Sequence, residues 1–133
     1  MRKTGIATVA VLGLACAGAA LAQMPEVETY QLGAVEVRVI AQPFLTEEEL
    51  MTLRLVGQNP DALALFVPEG TGFAALAVAP DEGFVRAGMP VNSAMALSGL
   101  ESADAASAAA LEACNGARAG GADCVLVLEV APR

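Results

Sequence analysis

Apolar and polar positions alternate along residues 27–40 with the period of a strand. Residues 27–32 and 35–40 are rich in β-branched side chains and are separated by Gly33-Ala34. In the second run Val35, Val37 and Val39 fall on one side, and Glu36, Arg38 and Ile40 on the other, as in a half-buried strand. Glycine at the first place of a two-residue loop suits a type II′ hairpin. One long strand bulged at Gly33 is the alternative. The pattern then changes to a helical one. Thr46-Glu47-Glu48-Glu49 reads as a capping box, with Leu45 and Leu50 spaced as a hydrophobic staple across the first turn. The three glutamates also suit the positive end of the helix dipole. This helix is expected over residues 47–57, and capping explains Glu47, Glu48 and Glu49 more simply than a cation site does.

Asn59-Pro60-Asp61 ends that helix, and residues 61–67 fit either a short helix or a strand. After a turn-rich loop, residues 73–79 form a continuous apolar run that suits a strand buried on both faces. Pro80-Asp81-Glu82-Gly83 is a turn, and residues 84–88 resume an extended pattern, so residues 73–88 read as a β-hairpin. Asp81 and Glu82 lack the spaced oxygen ligands of a calcium loop. Residues 89–101 read as a loop with a helical piece near 94–97. Ser102 caps a second helix, with Asp104 in its first turn and alanines, the best helix formers, through Ala110. That helix is expected to end near Asn115-Gly116, with Gly116 as a left-handed cap. Residues 124–130 form a final apolar strand stopped by Pro132. The fold class expected is α+β: a mostly antiparallel four- or five-stranded sheet with two main helices packed chiefly on one face.

Composition adds a location. Arg2 and Lys3 precede an apolar run from Ile6 to Cys16, and small residues lead to Ala20-Leu21-Ala22 before Gln23. These are the charged, apolar and small-x-small regions of an export signal. Gly13, Gly18 and many alanines dilute the stretch below what a spanning helix requires. Cys16, preceded by Gly13-Leu14-Ala15, offers a second reading as an acylated lipoprotein terminus. The missing leucine at Gly13 and the better site downstream favour cleavage between Ala22 and Gln23. Residues 1–22 are therefore read as a signal peptide and residues 23–133 as one domain, with no membrane span after cleavage and a periplasmic or secreted location. At that size the core is modest, about two-thirds of the unfolded surface.

Charge and residue inventory then exclude most chemistry. The leader holds two of the seven basic residues and none of the fifteen acidic ones, leaving a net charge near −10. Nucleic acid and anionic lipid are repelled by that balance. There is no histidine or tryptophan, and the one lysine is Lys3. This removes Ser-His and Cys-His nucleophiles, imidazole metal sites, pyridoxal Schiff bases and phosphate-loop lysines. A carboxylate pair could cleave glycosides, but the mature chain offers few aromatic platforms for sugars. No catalytic residue, cofactor or metal ligand is singled out.

Three cysteines are an odd number for an exported chain, and loss of Cys16 with the leader leaves Cys114 and Cys124. Outside the cytoplasm such a pair oxidises and persists. Nine residues intervene, unlike the Cys-x-x-Cys of redox pairs, and Asp123 beside Cys124 disfavours a thiolate. A structural disulfide is expected.

From Phe73 onward, an alanine-rich hairpin around Ala79-Pro80-Asp81-Glu82-Gly83 is followed by the alanine-rich helix ending at Cys114. Cys124 and the apolar strand to Pro132 complete the module. With the leader, this resembles a family of small secreted bacterial proteins of unknown function, some bearing an automatic "5-aminolevulic acid synthase" label. Residues 58–72 stand as an insertion relative to its shorter members. The labelled chemistry needs a pyridoxal lysine and a large domain, and residues 23–133 contain neither. The resemblance transfers no catalytic residue. The function expected is non-catalytic binding of an unknown protein or small ligand. The alternatives are a carboxylate-only enzyme, such as a cell-wall glycosidase, and a lipid-anchored envelope protein.

Overall fold

The structure, a computed structural model, describes residues 24–68 and 71–133. The expected leader, Cys16 and the Ala22–Gln23 junction lie outside the described residues. The described chain is α+β. Strands β1 (Glu26–Leu32), β2 (Val35–Ala41), β3 (Phe73–Val78), β6 (Met95–Leu100) and β7 (Val125–Pro132) form a five-stranded sheet. Its order is β1-β2-β7-β3-β6, and every neighbouring pair is antiparallel. β4 (Val85–Arg86) and β5 (Met89–Pro90) form a separate two-stranded ribbon. The helices are α1 (Glu47–Gln58), α2 (Pro60–Phe66) and α3 (Ala103–Ala117).

β1 and β2 pair as a hairpin, with Leu32 opposite Val35 and Gly33 at a φ of +61°. A positive φ at the first loop residue alone is the II′ pattern, and glycine meets it without a Cβ clash. Both halves of the capping box form at α1: Glu49 donates its N–H to Thr46 Oγ1 (3.1 Å), and Thr46 donates its N–H to Glu49 Oε1 (3.0 Å). The ambiguous segment 61–67 is helical over α2. Asn59 Oδ1 accepts from the N–H groups of Asp61 (2.8 Å) and Ala62 (3.2 Å), and Pro60 occupies the first turn, where its missing N–H costs nothing. Glu28 fastens β1 to α1, accepting from Arg54 Nε (2.8 Å), Arg54 Nη2 (2.7 Å) and Tyr30 OH (2.7 Å).

Four expectations are corrected. The helices do not share one face of the sheet. Leu76 and Val78 of β3 join Leu53 of α1 in one core, whereas Ala75, Ala77 and Ala79 join Ala106, Ala110 and Cys114 in another. Successive side chains of a strand point to opposite faces, so α1 and α3 cover opposite faces. A strand apolar on both sides requires cover on both, and the alanines of β3 and α3 let helix and sheet approach closely. A register shift in β7 accommodates both cores: Leu126 packs on the alanine side, while Val127 and Leu128 face the other.

Residues 84–88 do not return along β3. Its second edge is taken by β6, which occupies residues expected to be a loop with a helical piece. The N–H groups of Phe84 and Val85 are instead claimed by the Glu49 carboxylate. Gly116 is not a left-handed cap. α3 continues to Ala117, and the extended Arg118 closes it by donating its N–H to Cys114 O.

The β4–β5 loop, Ala87-Gly88, has φ values of +53° and +75°, the type I′ pattern. Left-handed backbone costs an alanine about 1 kcal/mol. Ala87→Asn is therefore expected to raise the melting temperature by about 2–5 °C. Thermal unfolding checks this, and a lower midpoint would contradict the turn assignment.

Candidate functional site

Glu49 is the buried carboxylate of the described residues, with no exposed surface. Two segments meet at it. The α1 N-terminus supplies the Thr46 N–H to Oε1, and the segment after the acidic turn supplies the Phe84 (2.6 Å) and Val85 (2.9 Å) N–H groups to Oε2. Arg86 Nη2 lies 3.7 Å from Oε1. Desolvation pushes the carboxyl toward its neutral form, but the three amides and the Arg86 charge together outweigh it and hold the pKa below the ordinary range. Gly83 makes room for this arrangement: at its φ of +73° a Cβ would come within 2.7 Å of Glu49 Oε2 and strike the Arg86 guanidinium. A carboxylate so saturated with donors is an acceptor that orders the fold. Held below the ordinary range, it has no proton to give at neutral pH for general acid work.

Asp81 and Glu82 sit in the expected turn, closed by the Glu82 and Gly83 N–H groups donating to Ala79 O (3.0 and 2.9 Å). Their carboxylates also hold the glycine-rich loop after α3. Asp81 Oδ2 accepts from the Ala122 N–H (3.0 Å), and Glu82 Oε2 from the Ala119 N–H (3.1 Å). Cys114 and Cys124 close the same loop as a disulfide, with Cα atoms 6.1 Å apart and both residues in the α3-side core. Asn115 Oδ1 accepts from the Cys124 N–H (2.8 Å), fixing the entry to β7. Among the described residues, no three His, Cys, Asp or Glu side chains gather as a metal site.

An open apolar surface lies on the other face. α1 covers β1 and β2, whereas α3 covers β3, β6 and β7 from the opposite side. This offset leaves an apolar groove of about 400 Å³ beside α1 and α2. Leu55, Leu65, Phe84 and Ala96 line it, above Leu76 and Leu128, which are themselves buried in the core. Leu55 and Leu65 are 52% and 86% exposed. Along α1 the groove continues into a shallower surface that shares Thr52 and Leu55 and includes Glu47 and Glu48. A second apolar cavity, about 460 Å³, lies between α2 and the ends of β2 and β7, with its lip at Pro68 and Thr71.

Of the residues singled out in the sequence, Cys114 and Cys124 come together, and Glu47 and Glu48 line the shallower surface that adjoins the groove. The groove itself was not legible. Its residues come from α1, α2, the β4–β6 region and the sheet, and no local spacing links them. No helix among the described residues is long and apolar enough to cross a membrane. Comparison with protein-family models, with curated proteins and with solved structures finds no match to this chain.

Proposed function

We propose that this chain is an exported, non-catalytic domain that binds a partner through the groove beside α1 and α2, in the periplasm or outside the cell. The apolar groove, with Leu55 and Leu65 more than half exposed, carries the reading, because an exposed apolar surface of this kind is the usual mark of an interaction site. The leader pattern of residues 1–22 and the Cys114–Cys124 disulfide support the location. The enzyme alternative has less support, since Glu49 is saturated by amides and faces Arg86 rather than a second acid. Membership of the small secreted family that the C-terminal half resembles is part of the same reading and supplies no site residue.

The test is site-specific photocrosslinking in the exporting cell. A photoreactive residue at Leu65 is expected to give an adduct of discrete mass in the extracytoplasmic fraction. The same residue at Asp104, exposed on α3 at the opposite sheet face, should give none. The chain in the adduct should begin at Gln23 by intact mass. No adduct at Leu65, or equal yields at both positions, would reject docking through the groove.

A further inference from the structure

The two edges of the sheet are finished differently. β6 ends one side, where its pairing with β3 shifts register and Gly99 takes a φ of +74°. A kink of that kind blunts an edge against further strands. β1 ends the other side. It pairs with β2 in unbroken register from Glu26 to Leu32 and carries no lysine, arginine or proline. The hairpin decides which of its backbone groups are already bonded. Leu32 and Val35 flank a two-residue loop and exchange hydrogen bonds, so every second residue from Leu32 back to Glu26 bonds β2. The N–H and C=O groups of Val27, Thr29 and Gln31 therefore point away from the sheet. Among the described residues no backbone group elsewhere in the chain bonds them, and their side chains are exposed.

This row of groups is complementary to itself. With a two-fold axis at Thr29, Val27 lies opposite the second copy's Gln31, and Thr29 opposite its own counterpart. All three outward residues then exchange paired hydrogen bonds, and the two strands overlap from end to end. Glu28 faces Tyr30 and Glu26 faces Leu32, so no like charges stand directly opposite. Glu28 stays held by Arg54 Nη2 of its own chain (2.7 Å). Neighbouring registers are poorer. An axis at Glu28 opposes two glutamates and calls on an N–H that Pro25 lacks, and an axis at Tyr30 runs Val27 into the turn at Gly33. We propose that a second copy of this chain pairs with β1 edge to edge, joining the two five-stranded sheets into one. This goes beyond the docking reading. β1 contributes no residue to the groove, so the dimer presents two grooves and would hold a two-site partner bivalently.

Net charge fixes the sign of the salt effect. Each exported chain carries a charge near −10, so two copies repel at long range and salt should strengthen their association. The test is sedimentation of the exported protein. A concentration-dependent dimer is expected, about tenfold tighter at high than at low ionic strength. Thr29→Pro should weaken it by about tenfold or more while the chain stays folded, because the Thr29 N–H makes no bond to β2. Thr29→Lys and Thr29→Glu should each weaken self-association by setting like charges opposite one another. An equimolar mixture of those two variants should associate more tightly than either alone. A monomer at millimolar concentration in high salt would overturn the proposal. So would a dimer indifferent to Thr29→Pro, or a mixture no tighter than its components. The Leu65 adduct should persist in Thr29→Pro, so the dimer and the docking reading fail separately.

Discussion

Glu49→Ala is expected to destabilise the domain by about 3 kcal/mol, lowering its melting temperature by more than 10 °C. The side chain is fully buried and accepts from Thr46, Phe84 and Val85. Removing it strands three backbone donors, each costing about 1–3 kcal/mol if left unpaired, before relaxation lets some reach water. Thr46→Ala removes only the reciprocal cap and should cost about 1 kcal/mol. Glu49→Gln keeps the shape with a single acceptor oxygen and should fall between the two. If Glu49→Ala and Thr46→Ala were equally destabilising in urea, the contacts to Phe84 and Val85 would contribute nothing. The same carboxylate sets the acid sensitivity. Glu49 is held below its ordinary range, and the Arg54 and Tyr30 hydrogen bonds lower Glu28 from 4.5 to about 2. A depressed folded-state pKa gives stability that is fully present above the unfolded value and lost as pH falls through the folded one. The melting temperature should therefore be flat above about pH 5.5 and fall from about pH 4.5 downward. Glu28→Gln should flatten that slope, because its carboxylate would no longer take up a proton on unfolding.

Replacing Cys114 and Cys124 together by alanine should cost about 3 kcal/mol and lower the melting temperature by about 10 °C or more. The bridge spans ten positions in sequence, and closing a loop of that size restricts the unfolded chain by slightly under 3 kcal/mol in the entropic account. Cys114 is fully buried against Ala75, Ala77 and Ala79, so some packing is lost as well. Loop 117–123 is also held by Asp81, Glu82 and Asn115, so the reduced protein should unfold cooperatively rather than lose this loop first. Thiol labelling of the exported protein should find no reactive cysteine until it is unfolded and reduced. Labelling of the native protein, or an unchanged melting temperature in the double variant, would contradict a structural bridge.

The local signals were sound wherever a segment's own backbone chemistry decides its conformation. Gly33 offers the positive φ of the hairpin, Thr46 and Glu49 close a capping box, and Ser102 accepts from the Ala105 N–H (3.0 Å) to start α3. The apolar run of β3 announced a strand covered on both faces. The segments read incorrectly are those whose backbone partners are distant. Residues 95–100 carry helix-tolerant Met, Ala and Leu, yet the free edge of β3 makes them a strand. Phe84 and Val85 look ready to extend a hairpin, but a carboxylate 35 residues earlier takes their amides. Nothing in Glu47-Glu48-Glu49 marks the third glutamate as the one that turns inward.

By itself the sequence determined the class of fold, the helix starts, the β1–β2 hairpin, the cysteine pair and the narrow chemical inventory. Each of these depends on residue identity or on neighbours within a few positions. Only the tertiary structure decided that α1 and α3 take opposite faces and that β6 completes the sheet. It also decided that the two helical layers are offset enough to leave an apolar groove between Leu55, Leu65 and Ala96. The physical reason is that period and propensity specify which side of an element is apolar. What covers that side is set by the competition among all elements for the same surface, and the groove lies where α1, α2 and the β4–β6 region meet above the buried sheet without closing over one another.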